Sequence, residues 1–249
     1  MVWPDLLFSD DFVLAGLAVL VAGTVRGFSG FGAGLVMMGP LSIIYGLPGA
    51  VVTVAVCDAC AALTLLRGVW AMADRKRALA AAISAAILLP LGTYILQVID
   101  AELLRRIAGV LILFFIAFIA AGVRWRGGGV SGSIAVGAIG GLIGGATSLI
   151  GPPMVLYMLA RDEDAIRTRA SLALYISIVV VTQVTLLALF EVSGQLAGWT
   201  SWAIAASFIP VYAAGILLGK KIFNLAPAYF YRRLTIFLVA LSGLLALAV

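Results

Sequence analysis

Arg26-Gly27-Phe28-Ser29-Gly30-Phe31-Gly32-Ala33-Gly34, followed by Gly39-Pro40 and Tyr45, is nearly repeated later as Gly140-Gly141-Leu142-Ile143-Gly144-Gly145-Ala146-Thr147-Ser148, followed by Gly151-Pro152-Pro153 and Tyr157. A shift of 112 residues lays Gly144 on Gly32, Gly151 on Gly39, Pro152 on Pro40 and Tyr157 on Tyr45. Neither stretch suits an unbroken membrane helix. Glycine and proline interruptions free backbone N–H and C=O groups, which survive at membrane depth only against protein or a cavity. Paired interruptions at matching places in two halves point to a transporter's binding site.

The surrounding sequence is membrane-like. Of 249 residues, 64% are hydrophobic and 11% charged, and mean hydropathy is +1.20. Apolar runs near twenty residues read as membrane spans, and the ten-residue alternation of a β-barrel is missing. An all-α polytopic membrane protein is expected. No basic residue precedes Arg26, so no signal peptide is expected. The basic pI reflects short loops between spans rather than a nucleic-acid surface. Histidine is absent and the cysteines are Cys57 and Cys60 alone, one turn apart in an apolar span. Such neighbours suit neither a disulfide nor a four-ligand zinc site, so no metal and no cofactor is expected. They read as small packing residues or as thiols lining a path.

The segments fall into two halves, 1–126 and 127–249. The first has a broken hairpin at 12–46 and spans at 48–66, 78–98 and 103–123; the second a broken hairpin at 132–160 and spans at 170–190, 199–219 and 229–249. Leu103-Leu104-Arg105-Arg106-Ile107 answers Phe230-Tyr231-Arg232-Arg233-Leu234 at a shift of 127, the second half carrying a longer charged loop from Arg161 to Arg169. Charge decides the topology. If each broken segment is a re-entrant hairpin and both termini lie outside, thirteen Lys/Arg are cytoplasmic, and Arg105 and Arg106 lie outside. Eight plain spans would leave six inside and nine outside. The positive-inside rule prefers the hairpins. Each half is then a hairpin plus three spans, an odd number, so the two are inverted repeats within one cytoplasmic (inner) membrane domain.

Half-helix starts carry free N–H groups and a partial positive charge, and two of them meeting at the midplane would make an anion site from backbone. Gly30, Phe31, Gly32, Gly144 and Gly145 line the interruptions. The bland reading of such glycines, close helix packing, leaves the prolines and the repetition unexplained. An intramembrane arginine such as Arg26 marks function by default, and its planar fork suits a tetrahedral oxyanion; the 112 shift places Ala138 opposite it. Asp58 is either a proton or cation coupling group or Arg26's structural partner. Gln183, with Thr182, falls at the matching level of the second half. Ser29, Thr147, Ser148, Tyr45, Tyr157 and Tyr175 offer hydroxyls, each alone more often a helix–helix hydrogen bond. No Gly-x-Ser-x-Gly elbow, Walker loop or ligand cluster suggests an enzyme.

With its glycine motifs, Gly27 to Pro40 and Gly140 to Pro153, and the Leu-Leu-Arg-Arg type start of the last span in each half, the chain resembles the sulfite exporter TauE/SafE family over nearly its whole length. The resemblance implies a permease for small sulfur-containing anions such as sulfite, sulfoacetate or other organosulfonates, working as an exporter. Thr147-Ser148-Leu149, Arg26 and Phe31 depart from the richer glycine pattern and bear on substrate identity. The leading expectation is a secondary transporter with the anion between the two hairpins, alternating access, and the bilayer and a coupling proton or cation as partners. The alternatives are a passive anion channel and, further off, a membrane enzyme or scaffold subunit. The spans are apolar all round, so a homo-oligomer is compatible with them but no dimer face stands out.

Overall fold

In lipid a chain has no water with which to satisfy its backbone, and helices satisfy it internally. The computed structural model describes residues 10–121, 129–159, 165–192 and 198–225, and these hold helices and no strands. In chain order the helices are α1 (Asp10–Ser29), α2 (Ala33–Val69), α3 (Arg75–Val98), α4 (Ala101–Ala120), α5 (Val130–Thr147), α6 (Gly151–Leu159), α7 (Ala165–Val192), α8 (Trp199–Ser207) and α9 (Ile209–Leu225). Six stretches among the described residues are long and apolar enough to cross a membrane, Ala33–Ala62 within α2 and Trp199–Ile222 across α8 and α9 among them. The last expected span, 229–249, and most of the 124–130 loop lie outside the described residues.

Local signals set the helix limits. Asp74 caps α3 by accepting the Arg77 backbone N–H at 3.3 Å, and its carboxylate pairs with the Arg77 side chain at 2.7 Å. Asp100 caps α4 through the N–H groups of Glu102 and Leu103, each at 3.1 Å. Such caps satisfy first-turn donors that have no partner within the helix. Gly46, at φ 72° and ψ 164°, kinks α2 into 33–45 and 47–69. The turn between α2 and α3 meets the start of α7: Ser171 Oγ accepts the Asp74 N–H at 2.8 Å, and Arg167 lies 3.8 Å from the Asp74 carboxylate.

Two glycine faces organise the packing. Gly137, Gly141 and Gly145 of α5 meet Ala81, Ala85 and Leu89 of α3 in ascending order, so these helices run parallel and in backbone contact. A Cβ on Gly141 would overlap the Ala85 carbonyl oxygen. Gly23 and Gly27 of α1 meet Tyr212 and Ile216 of α9 in the same way, and a Cβ on Gly219 would overlap the Thr24 carbonyl. Small residues at this spacing replace the hydrophobic driving force that lipid removes with dispersion contacts. The pairing crosses between halves: a helix of each half seats on the first helix of the other. On the outer faces of α3 and α9, Ile87 is 69% and Leu217 66% exposed, which suits contact with acyl chains.

The two breaks fall at Gly30–Gly32 and at Ser148–Ile150. Gly30 (φ 80°) and Ser148 (φ 55°) both take left-handed backbone conformations. Ser29 and Thr147, the residues that end α1 and α5, stand 118 apart. The 112 shift read from the glycines and prolines therefore does not superimpose the breaks. It aligns Pro40, well inside α2, with Pro152 in the first turn of α6. At 118 the packing glycines correspond, Gly23 with Gly141 and Gly27 with Gly145. Further along, Gly92 on the Leu142 carbonyl answers Gly219 on the Thr24 carbonyl, at the shift of 127.

Gly141→Val and Gly219→Val each place branched carbon where a backbone carbonyl already sits. Each is expected to cost at least about 1–3 kcal/mol, seen as a lower melting temperature in detergent. Gly68→Val, with nothing within 4 Å of its Cβ position, should leave the melting temperature unchanged.

Candidate functional site

A helix that stops at a buried break must find partners for its last carbonyls and the next N–H groups. Each break does so with a hydroxyl. Ser29 Oγ lies 2.7 Å from Val25 O and accepts the Phe31 N–H at 3.2 Å. Thr147 Oγ1 donates to Ile143 O at 2.8 Å and accepts the Leu149 N–H at 3.4 Å. Two different residues thus perform one task, bonding the carbonyl four back and the N–H two ahead.

A longer polar side chain then ties each break to its neighbours. Arg26, on the last turns of α1, donates from Nη1 to Gly30 O. Its Nε stands 3.2 Å from Asp58 Oδ1, within ion-pair range but off hydrogen-bond alignment. The Tyr212 hydroxyl of α9 donates to the same Asp58 oxygen. Arg26's side chain is 0% exposed and Asp58's 9%, so the pair is shielded from solvent. Arg26 Nη2 is buried without a hydrogen-bond partner. In the second half Gln183 donates from Nε2 to Gly144 O at 2.9 Å and to Ser148 Oγ at 3.0 Å. Ser148 Oγ donates in turn to Val51 O of α2 at 3.3 Å. Gln183 Oε1 is buried without a partner. At the 118 shift Gly144 is the counterpart of Arg26, so Asp58 and Gln183 contact corresponding positions.

The breaks adjoin each other. A Cβ on Gly34 would lie 2.8 Å from Ser148 O, and one on Gly151 3.7 Å from Phe31 Cβ. The starts of α2 and α6 are therefore neighbours, and the α2 start, with Gly32 as its N-cap, has no side-chain cap. Among the sequence-derived candidates, Arg26, Ser29, Gly30, Phe31, Gly32, Gly144, Thr147, Ser148, Gln183 and Asp58 gather here. Gly145 instead packs on α3 against Leu89 and Thr93. Tyr45 lies half-buried 6.4 Å from the Phe208 ring, twelve residues or roughly 18 Å of helix from the α2 start. Tyr157 donates to Gly129 O at 2.6 Å, at the far end of α5. Tyr175 OH lies 3.4 Å from Ile150 O, and Thr182 turns back to Ile178 O at 3.1 Å.

Sequence reasoning missed Gly34, Tyr212 and Arg169. Tyr212 carried no signal, being one aromatic in an apolar helix. Arg169 read as a loop charge; it lies on α7, half-buried, and donates from Nη2 to Gly27 O at 2.5 Å. Cys57 is buried and Cys60 half-buried, both free thiols. Cys60 lines an apolar cavity of about 270 Å³ between α2 and α9, with Tyr212 and Lys220 on its walls. No cluster of three or more His, Cys, Asp or Glu occurs among the described residues.

A family model described as sulfite exporter TauE/SafE matches residues 15–246. The chain belongs to the sulfite exporter TauE/SafE family. No curated protein and no solved structure matches it. As a TauE/SafE member with six apolar helices, the chain is a multi-pass membrane transporter of the sulfite-exporter type. In this TauE/SafE chain the buried Asp58 and Arg26 charges balance each other, and of the atoms at the two breaks Arg26 Nη2 is a buried donor left without a partner.

Removing one partner of a buried pair strands the other. Asp58→Ala should destabilise the protein by about 3–5 kcal/mol, read by thermal unfolding in detergent. Adding Arg26→Met to Asp58→Ala should recover part of that loss. Additive losses in the double variant would mean that the two residues do not stabilise each other.

Proposed function

We propose that the chain is a secondary transporter, working as an exporter, for small sulfur-containing anions such as sulfite, sulfoacetate or other organosulfonates. The anion sits between the two breaks. It is held by Arg26, by free N–H groups at the start of α2 and by the Gly151 N–H at the start of α6, where Pro152 and Pro153 have none; Ser148 and Gln183, whose donors are already engaged, shape the site around it. The single observation that carries this reading is the buried, unpartnered Arg26 Nη2 beside two adjoining half-helix starts. A guanidinium donor with no acceptor is costly in lipid, and an oxyanion satisfies it with a charge-assisted bond.

The halves act as inverted repeats, each a re-entrant broken hairpin and three spans, rocking to give alternating access. Opposite directions of α2 and α7 support this. Val51 and Gln183 meet at Ser148, whereas Asp74, beyond the end of α2, meets Ser171, earlier on α7. The Asp74 contacts with Arg167 and Ser171 also favour loops 67–77 and 161–169 on one side, as re-entrant hairpins require and eight plain spans do not. Positive charge makes that side cytoplasmic and places the termini outside the inner membrane. Asp58 is the coupling group, its proton or cation exchanging with its hold on Arg26.

Purified protein should gain thermal stability with sulfite, thiosulfate or sulfoacetate and not with acetate or chloride. Ligand at 100 times its dissociation constant gives about 2.7 kcal/mol, and Arg26→Ala should abolish the shift. A flat response to all the sulfur anions would overturn the substrate reading. In proteoliposomes, Asp58→Asn should keep binding but lose dependence of flux on a pH gradient; unchanged dependence would remove Asp58 from coupling. Single-channel currents would mark an anion channel instead.

A further inference from the structure

Two arginines from different halves hold one turn. Arg26 donates to Gly30 O, and Arg169, brought by α7 from the second half, donates to Gly27 O at 2.5 Å. The stem of Arg169 lies over Gly30, where a Cβ would stand 2.8 Å from Arg169 Cγ and 3.3 Å from its carbonyl oxygen. The absent side chain at Gly30 is what admits it. Arg26 is fully buried, while Arg169 is half-buried beside the region that carries Arg167 and Asp74.

We propose that Arg169 is a second anion-holding residue, contributed by the opposite half, so that the site is complete only while the halves are together. This rests on the reading of the site given above. Gly27 O is a neutral carbonyl in the last turn of α1. An oxyanion offers the guanidinium an opposite charge and a bidentate fork, neither of which a neutral carbonyl supplies, so an arriving oxyanion displaces the carbonyl from Arg169. The buried Nη2 of Arg26, four residues before Gly30 along the same turn, takes a further oxygen. An anion with three oxygens on one sulfur can engage both forks, whereas chloride, a single atom, cannot span them. Arg169 thereby favours sulfite and sulfonates over halides. Trading the Gly27 contact for the anion loosens an inter-half bond at the moment of binding.

The test uses the full chain in detergent and in proteoliposomes, with sulfite, methanesulfonate and chloride as probes. Arg169→Gln should raise the half-saturating sulfite concentration about tenfold or more, equivalent to about 1.4 kcal/mol, beyond any change that loss of the Gly27 contact makes to the ligand-free melting temperature. Arg169→Lys, which keeps charge but loses the fork, should recover part of the affinity and discriminate less against chloride. A lower ligand-free melting temperature with sulfite half-saturation within about twofold of wild type would overturn the inference, leaving Arg169 as a cap on α1. If Arg169→Gln does not fold, Arg169→Lys decides: wild-type discrimination between sulfite and chloride overturns the inference. A wild-type protein blind to all sulfur anions would overturn the reading of the site itself, a result distinct from an undiminished response in Arg169→Gln.

Discussion

Every backbone donor and acceptor freed inside the bilayer must be met by protein, and the rest of the structure follows from that demand. Two helices, α1 and α5, stop at buried breaks, and each stop exposes carbonyls on one side and N–H groups on the other. Ser29 and Thr147 close the nearest of these, and Arg26 and Gln183 the next. The starts of α2 and α6 lie side by side beside the unpartnered Arg26 Nη2. The candidate site is thus the residue of an accounting problem that local side chains solve almost completely.

The glycine faces make that arrangement possible. Had Gly23, Gly27, Gly137, Gly141 or Gly145 carried a side chain, α1 and α5 could not lie against α9 and α3 at backbone distance, and the breaks would be held apart. Because a helix of each half packs on the first helix of the other, neither half buries its own break alone. The polar centre and the apolar packing are therefore one cooperative unit. A large residue at a glycine far from Arg26 can still disturb it.

Much of this was legible in the sequence, and the exceptions have physical causes. Helical class, the membrane-like spans and the two interruptions follow from hydropathy and Gly/Pro content, whereas the sequence left open whether Asp58 pairs with Arg26, as it does in the structure. The register of the repeat did not follow. Shared glycine and proline letters favoured 112, but the breaks superimpose at 118, because Ser29 and Thr147 do the same work with different side chains and Pro40 and Pro152 do different work with the same one. Tyr45 and Tyr157 were drawn in by their motifs and carried away by helical rise. Tyr212 and Arg169 reach the centre through tertiary packing, which no local pattern announces.

The correspondence between Arg26 and Gly144 has a further consequence. In a perfectly duplicated inverted pair, the state open to one side would be the mirror of the state open to the other, and the two would be equally populated without a ligand. One half carries an ion pair at this level and the other an amide bonded to a carbonyl. Mirror states then differ in energy by whatever separates those two arrangements, and a gap of only 1.4 kcal/mol is a tenfold bias. If the halves rock as proposed above, the empty carrier accordingly waits facing one compartment. Such a bias leaves the direction of net flux to the gradients, but it sets from which side a dilute anion is captured first.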